Sequence, residues 1–206
     1  MNGVFAHWPN RITAIRFFGA LVLFGVLETL SLETLESIDL RRGAVQCSFW
    51  LFVVVAATDF LDGYLARKYK LVSDFGRIAD PFTDKVLILG AMIYAAVMPW
   101  TGSWMPTWIV VVILARELLV TGLRGYVEKL GGEFPADRWG KIKMIVQCTA
   151  VGGVLWLEAY SWPPAWYSFW SGLVHVLVWA TLITTVGSGI NYVVHTARFL
   201  KAQEED

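Results

Sequence analysis

Leu51 to Val97 reads LFVVVAATDFLDGYLARKYKLVSDFGRIADPFTDKVLILGAMIYAAV. Two apolar runs flank a middle that carries Asp59, Asp62, Asp80 and Asp84 among several Lys and Arg. An Asp at the centre of a membrane-spanning helix costs about 2.5–3.5 kcal/mol on insertion scales. Carboxylates kept beside such runs must lie near the membrane surface, be paired, or both.

The rest of the chain is of the same kind. It has 206 residues, 56% hydrophobic and only 17% charged, with mean hydropathy +0.54, 11 Trp and 12 Phe. That composition belongs to a polytopic membrane protein, and the length suits a single domain spanning 1–206. Spans of about 20 apolar residues are expected at Ile12–Leu32, Val45–Leu65, Ala79–Pro99, Met105–Leu123, Lys141–Tyr160 and Tyr167–Arg198. Thr101-Gly102-Ser103 and Trp162-Pro163-Pro164 break the two runs that are too long for one helix. The fold class is therefore all-α, with six transmembrane helices, and residues 1–10 (Phe5, Trp8) are expected to form a short interfacial helix. The N-terminus shows no cleavage signature after its apolar run and reads as a retained first span.

Charge distribution sets the orientation. The formal net charge is zero, which argues against a nucleic acid partner. With six helices, 15 of the 17 Lys and Arg, all but Arg41 and Arg42, fall on the side of the two termini. Positive charge accumulates on the cytoplasmic side, so both termini are expected there. The expected location is the bacterial inner (cytoplasmic) membrane.

Spacing gives the aspartates a shape. Asp59 and Asp62 are three residues apart, Asp80 and Asp84 four, so each pair shares one helix face. Both pairs sit at the cytoplasmic ends of adjacent spans, where carboxylates this close repel unless a cation neutralises them. Oxygen-only ligands suit a hard divalent ion, Mg²⁺ or Mn²⁺, and four carboxylates can hold two. Gly63 and Ala66 leave that face without bulk, so a flat or charged group can approach the helix, and Arg67 can neutralise a phosphate. The same carboxylates would also suit a cation pathway.

The pattern Asp59-x2-Asp62-Gly63-x2-Ala66-Arg67-x8-Gly76-x3-Asp80-x3-Asp84 resembles the signature of the CDP-alcohol phosphotransferase family at every fixed position. The resemblance implies six spans and transfer of a phosphatidyl or similar group from a CDP-linked donor to an alcohol, with release of CMP. It implies that Asp59, Asp62, Asp80 and Asp84 bind metal, and that Asp59, Asp62, Gly63, Ala66, Arg67, Gly76 and Asp80 contribute to the CDP site. Asp84 is implied as the base on the acceptor hydroxyl. A homodimer is the family expectation.

Four further basic residues bear on the acceptor. Arg116, Arg124, Lys141 and Lys143 gather near the level of the aspartates, which suits an acceptor that itself carries a phosphate. "ARELLVTGLR" (115–124), "GKIK" (140–143) with Gln147, "DPFTDK" (80–85) and "PNRITAIR" (9–16) resemble the phosphatidylglycerophosphate synthase branch. That branch joins CDP-diacylglycerol to sn-glycerol 3-phosphate. Ala79 and Met144 depart from its usual Leu and Thr without removing a charged group. Competing readings are another acceptor in the same family (inositol phosphate, serine or a lipid alcohol), an intramembrane prenyltransferase, and a cation transporter. Cys47 and Cys148 read as small buried apolar residues. His7, His175 and His195 fit no metal spacing, and Gly187-Ser188-Gly189 reads as a helix-packing run.

Overall fold

The computed structural model describes residues 8–32, 37–69, 74–132 and 138–204; side chains at 8–9, 59–69, 74–75, 77–78, 138 and 204 lie outside the description. Six helices account for nearly all of it: α1 (Trp8–Ser31), α2 (Ile38–Tyr69), α3 (Asp74–Val97), α4 (Thr107–Lys129), α5 (Arg138–Ala159) and α6 (Pro164–Glu204). Each overlaps an expected span, and both expected breaks are where α3 gives way to α4 and α5 to α6. Residues 1–7 of the expected interfacial helix lie outside the described residues, whereas 8–10 form the first turn of α1.

Most helices outrun their apolar stretch. α2 has 32 residues and α6 has 41, so at 1.5 Å per residue α6 is about 60 Å long, twice a hydrocarbon core. Pro164 opens α6, where a missing N–H costs nothing. α4 ends in a Schellman arrangement: Gly132 N–H reaches Val127 O at 3.0 Å and Gly131 N–H reaches Glu128 O at 3.1 Å. Gly131 takes the left-handed conformation this requires, at φ 80°.

Helix directions follow from the contacts. Thr13, Arg16 and Glu28 of α1 meet Asp80, Asp84 and Tyr94 of α3 in the same order, so these helices run parallel. Arg116 and Arg124 of α4 meet Ser188 and Tyr192 of α6 in the same sense. Gln46 and Trp50 of α2 meet Ala159 and Tyr160 at the far end of α5, an antiparallel pair. The N-terminal ends of odd-numbered helices and the C-terminal ends of even-numbered ones thus share one end of the bundle. α1 packs chiefly on α2 and α3, α5 on α6 and α2, and α4 on α6.

Inside and outside are reversed relative to a soluble protein. Ile15, Phe18, Trp50, Val54, Leu118 and Ile183 are each more than half exposed. Arg16, Arg116, Glu117, Lys143 and Gln147 are buried. An apolar exterior around buried charges is the arrangement of a membrane protein, whose ionisable residues face the bundle interior. Among the described residues, four helical stretches are long and apolar enough to cross a bilayer: residues 10–31, 38–58, 139–159 and 164–203. α3 and α4 carry charged residues along roughly half their lengths. Since lipid is as apolar as Leu, packing rather than water exclusion holds such helices together. Gly90 serves that packing: a Cβ there would stand 2.2 Å from the Phe24 ring.

The two ends differ in chemistry. At the end away from the termini, Trp156 stacks among Phe49, Tyr160 and Trp162, with ring centroids 4.6–5.2 Å apart, and Trp104 meets His175 at 5.0 Å. Aromatic clusters of this kind sit at membrane–water boundaries. Cys47 is exposed on the apolar exterior and Cys148 half-buried, neither in a disulfide, so the expectation of two buried cysteines is corrected. α2 turns Cys47 outward, where lipid rather than protein solvates a small apolar group.

Candidate active site

Polar side chains collect at the end where the termini lie. On α3, Asp80 and Asp84 are one turn apart and half-buried. Two α1 residues, likewise one turn apart, hold them. Thr13 donates to Asp80 Oδ1. Arg16 Nη1 lies 2.6 Å from Asp84 Oδ1, with side-chain exposures of 0% for Arg16 and 20% for Asp84. Parallel packing of α1 on α3 matches the two i,i+3/i,i+4 spacings, so each tether meets its own carboxylate. Pro81, between them in α3, takes one N–H out of the helix ladder beside Asp80. Gly76 is buried in the first turn of the same helix.

Asp59, Asp62, Gly63, Ala66 and Arg67 lie on the last turns of α2, and their side chains are outside the description. Among the described residues no three His, Cys, Asp or Glu side chains cluster as a metal site. Among the described residues, Asp80 and Asp84 supply carboxylate oxygen at half-buried positions, and that donor chemistry fits a hard divalent ion.

Beside this pair stands a basic cluster built by α3, α4, α5 and α6. Glu117 accepts from Arg116 Nη1 at 2.9 Å and from Lys143 Nζ, and all three residues are buried. Arg116 Nη2 donates to Ser188 Oγ at 2.8 Å, and its guanidinium lies 5.6 Å from the Tyr192 ring centre. Arg124 Nη2 donates to Tyr192 Oη at 2.6 Å. Gln147, one turn beyond Lys143, donates to Thr185 Oγ1 at 3.1 Å. The Gly187-Ser188-Gly189 run has a sharper purpose than helix packing. Ser188 binds the Arg116 head, and a Cβ on Gly189 would stand 3.0 Å from the Arg116 stem.

Of the four expected acceptor residues, Arg116, Arg124 and Lys143 are brought together. Lys141 is exposed and not in the cluster; two residues from Lys143, it falls on nearly the opposite helix face. Thr13, Arg16, Ser188 and Tyr192 join the site without having been named for it. Arg16 did carry a signal, since a cation inside the apolar run of α1 needs a partner.

An apolar groove of about 490 Å³ lies between α2, α5 and α6. Phe52, Ala56, Ala57, Gly152, Gly153 and Val174 are among its lining residues. Among the described residues, its α2 wall reaches Ala57, two residues before Asp59.

A helical integral membrane protein with tethered carboxylates beside a buried basic cluster has groups suited to charged ligands. Comparison with known proteins gives the family. The sequence model of the CDP-alcohol phosphatidyltransferase family matches residues 6–187, and the chain belongs to that family. The family is generally dependent on a divalent metal. The chain is similar to CDP-diacylglycerol–glycerol-3-phosphate 3-phosphatidyltransferase of Bacillus subtilis (strain 168), at 37% identity over 89% of this chain and 92% of the relative. It is similar to the enzyme of the same name in Rickettsia felis, at 34% identity with the same coverage. It is also similar to a probable phosphatidylglycerophosphate synthase of Mycobacterium tuberculosis, at 36% identity over 77% of this chain and 70% of the relative.

Proposed function

We propose that this enzyme transfers the phosphatidyl group of CDP-diacylglycerol to sn-glycerol 3-phosphate, giving phosphatidylglycerophosphate and CMP. The observation that carries the acceptor is the basic cluster. Lys143 and Arg116 face one buried carboxylate, Glu117, and Arg124 joins them through Tyr192, which both arginines meet. A phosphate-bearing acceptor supplies the anion that such a site favours. The names of the relatives from Bacillus subtilis and Rickettsia felis support the same donor and acceptor.

Asp59, Asp62, Asp80 and Asp84 would hold the metal, two Mg²⁺ ions or Mn²⁺ in their place, with Gly63, Ala66, Arg67 and Gly76 against the CDP portion. Bound there, the metal would offset the diphosphate charge and stabilise the leaving CMP. Thr13 and Arg16 keep Asp80 and Asp84 in place. Asp84 takes the proton of the acceptor hydroxyl, whose oxygen bonds to the lipid-bearing phosphorus. The bond from that phosphorus to the CMP oxygen breaks, and CMP departs with the electron pair. The groove beside α2 leads from Asp59 along the apolar exterior and suits the acyl chains.

All six helices cross the bacterial inner membrane in this reading, with both termini and the site cytoplasmic. The Lys/Arg distribution supports it, as does the alternation of helix directions. The enzyme functions as a homodimer. Purified protein given CDP-diacylglycerol, Mg²⁺ and sn-glycerol 3-phosphate is expected to release CMP and form phosphatidylglycerophosphate. Asp84→Asn is expected to lose that turnover while still reaching the membrane; near-normal activity in Asp84→Asn removes Asp84 from the mechanism.

A further inference from the structure

Asp84 and Lys85 are neighbours in sequence but belong to different contacts. Asp84 turns to α1 and Arg16. Lys85, about 100° further round the helix, turns to α4, where its Nζ donates to Thr121 Oγ1 at 2.5 Å. Thr121 in turn donates to the Glu117 carbonyl at 2.6 Å, so the hydroxyl is oriented and its oxygen is presented to Lys85. The ammonium also lies within electrostatic reach of Glu117, Arg116, Arg124 and Lys143. Lys85 is thus the residue of α3 that joins the carboxylate pair to the basic cluster.

An ammonium has three protons to donate, and the described contacts direct one of them to Thr121. Among the described residues, and counting Lys85, the cluster holds four cations, Lys85, Arg116, Arg124 and Lys143, and one carboxylate, Glu117. Lys85 is half-buried at the edge nearest Asp84, where Arg116 and Lys143 are already engaged by Glu117.

We propose that Lys85 binds the phosphate of the acceptor and, being next to Asp84, sets which acceptor hydroxyl reaches that carboxylate. This rests on the reading that the basic cluster is the acceptor site. A three-carbon acceptor carries its hydroxyl and phosphate at opposite ends. Anchoring the phosphate on α3 one residue from the base fixes the span between them, so Lys85 selects for a short phosphorylated alcohol.

The test is steady-state kinetics on Lys85→Met, which keeps the apolar stem and removes the charge, beside Arg116→Met and Lys143→Met. Lys85→Met is expected to raise KM for sn-glycerol 3-phosphate about tenfold or more, with KM for CDP-diacylglycerol within about twofold of wild type. KM does not depend on the folded fraction of a preparation, so loss of folded protein does not imitate this split. Unchanged KM for sn-glycerol 3-phosphate in Lys85→Met, with a rise in the other two variants, overturns the role of Lys85 and leaves the acceptor site standing. Unchanged KM in all three overturns both. A rise confined to CDP-diacylglycerol moves Lys85 to the donor and also overturns the proposal. Wild-type protein gives a second measurement independent of folding: acetylation of Lys85, read by mass spectrometry, is expected to slow in sn-glycerol 3-phosphate but not in glycerol. Equal acetylation in the two overturns the proposal.

Discussion

Arg16 and Asp84 form an ion pair between α1 and α3, 2.6 Å apart, with the Arg16 side chain fully buried. Breaking a buried pair leaves a charge without compensation and costs more than the pair contributes. Arg16→Met removes one partner of Asp84 and is expected to lower stability by about 1–3 kcal/mol, and to reduce kcat sharply. Thermal unfolding in detergent and turnover measured together check this. A variant with wild-type stability and turnover would show that the pair has no effect on either.

Glu117 compensates two cations at once, and its removal takes the carboxylate from both. Glu117→Gln is expected to destabilise by about 3 kcal/mol. The double variant Glu117→Gln/Lys143→Met is expected to recover part of that stability but not activity, because the charges balance better while the anion site is lost. A double-mutant cycle on thermal midpoint and KM separates the two effects; additive stability losses would contradict direct coupling.

Gly189 and Gly187 make a matched pair on α6. A Cβ at Gly189 would press the Arg116 stem at 3.0 Å, whereas at Gly187 it would meet nothing within 4 Å. Gly189→Leu is expected to displace Arg116 and raise KM for sn-glycerol 3-phosphate about tenfold, while Gly187→Leu stays near wild type. Equal effects from the two would point to general helix disruption.

Membrane orientation is open to labelling. In a background of Cys47→Ala and Cys148→Ala, Lys201→Cys is expected to react with an impermeant maleimide only in inside-out vesicles. Ser103→Cys, in the turn between α3 and α4, is expected to react only in right-side-out ones. The opposite pattern inverts the topology.

Helix count and order were legible because apolar runs and their breaks are local properties. Helix ends were less so: α2 begins at Ile38 and ends at Tyr69, beyond the apolar Val45–Leu65, since a helix continues into polar sequence without needing lipid. The placing of Asp80 and Asp84 one turn apart on α3 was legible from their spacing, and so was the spread of Lys141 and Lys143 to different faces. Which residue of α1 would meet Asp84 was not. Pairing across 68 positions depends on the offset at which α1 packs against α3, and no local pattern encodes that offset. Lys85 was hidden for a related reason: beside an aspartate of the motif, it read as one more positive charge at the cytoplasmic surface.

The most direct measurement is acceptor choice. Purified protein with CDP-diacylglycerol and Mg²⁺ is offered sn-glycerol 3-phosphate, inositol 1-phosphate and serine in turn, and CMP release is followed. Release is expected with sn-glycerol 3-phosphate and far less with the others. Release with inositol 1-phosphate or serine but not with sn-glycerol 3-phosphate would contradict the assigned acceptor, and no release with any would contradict the assigned reaction.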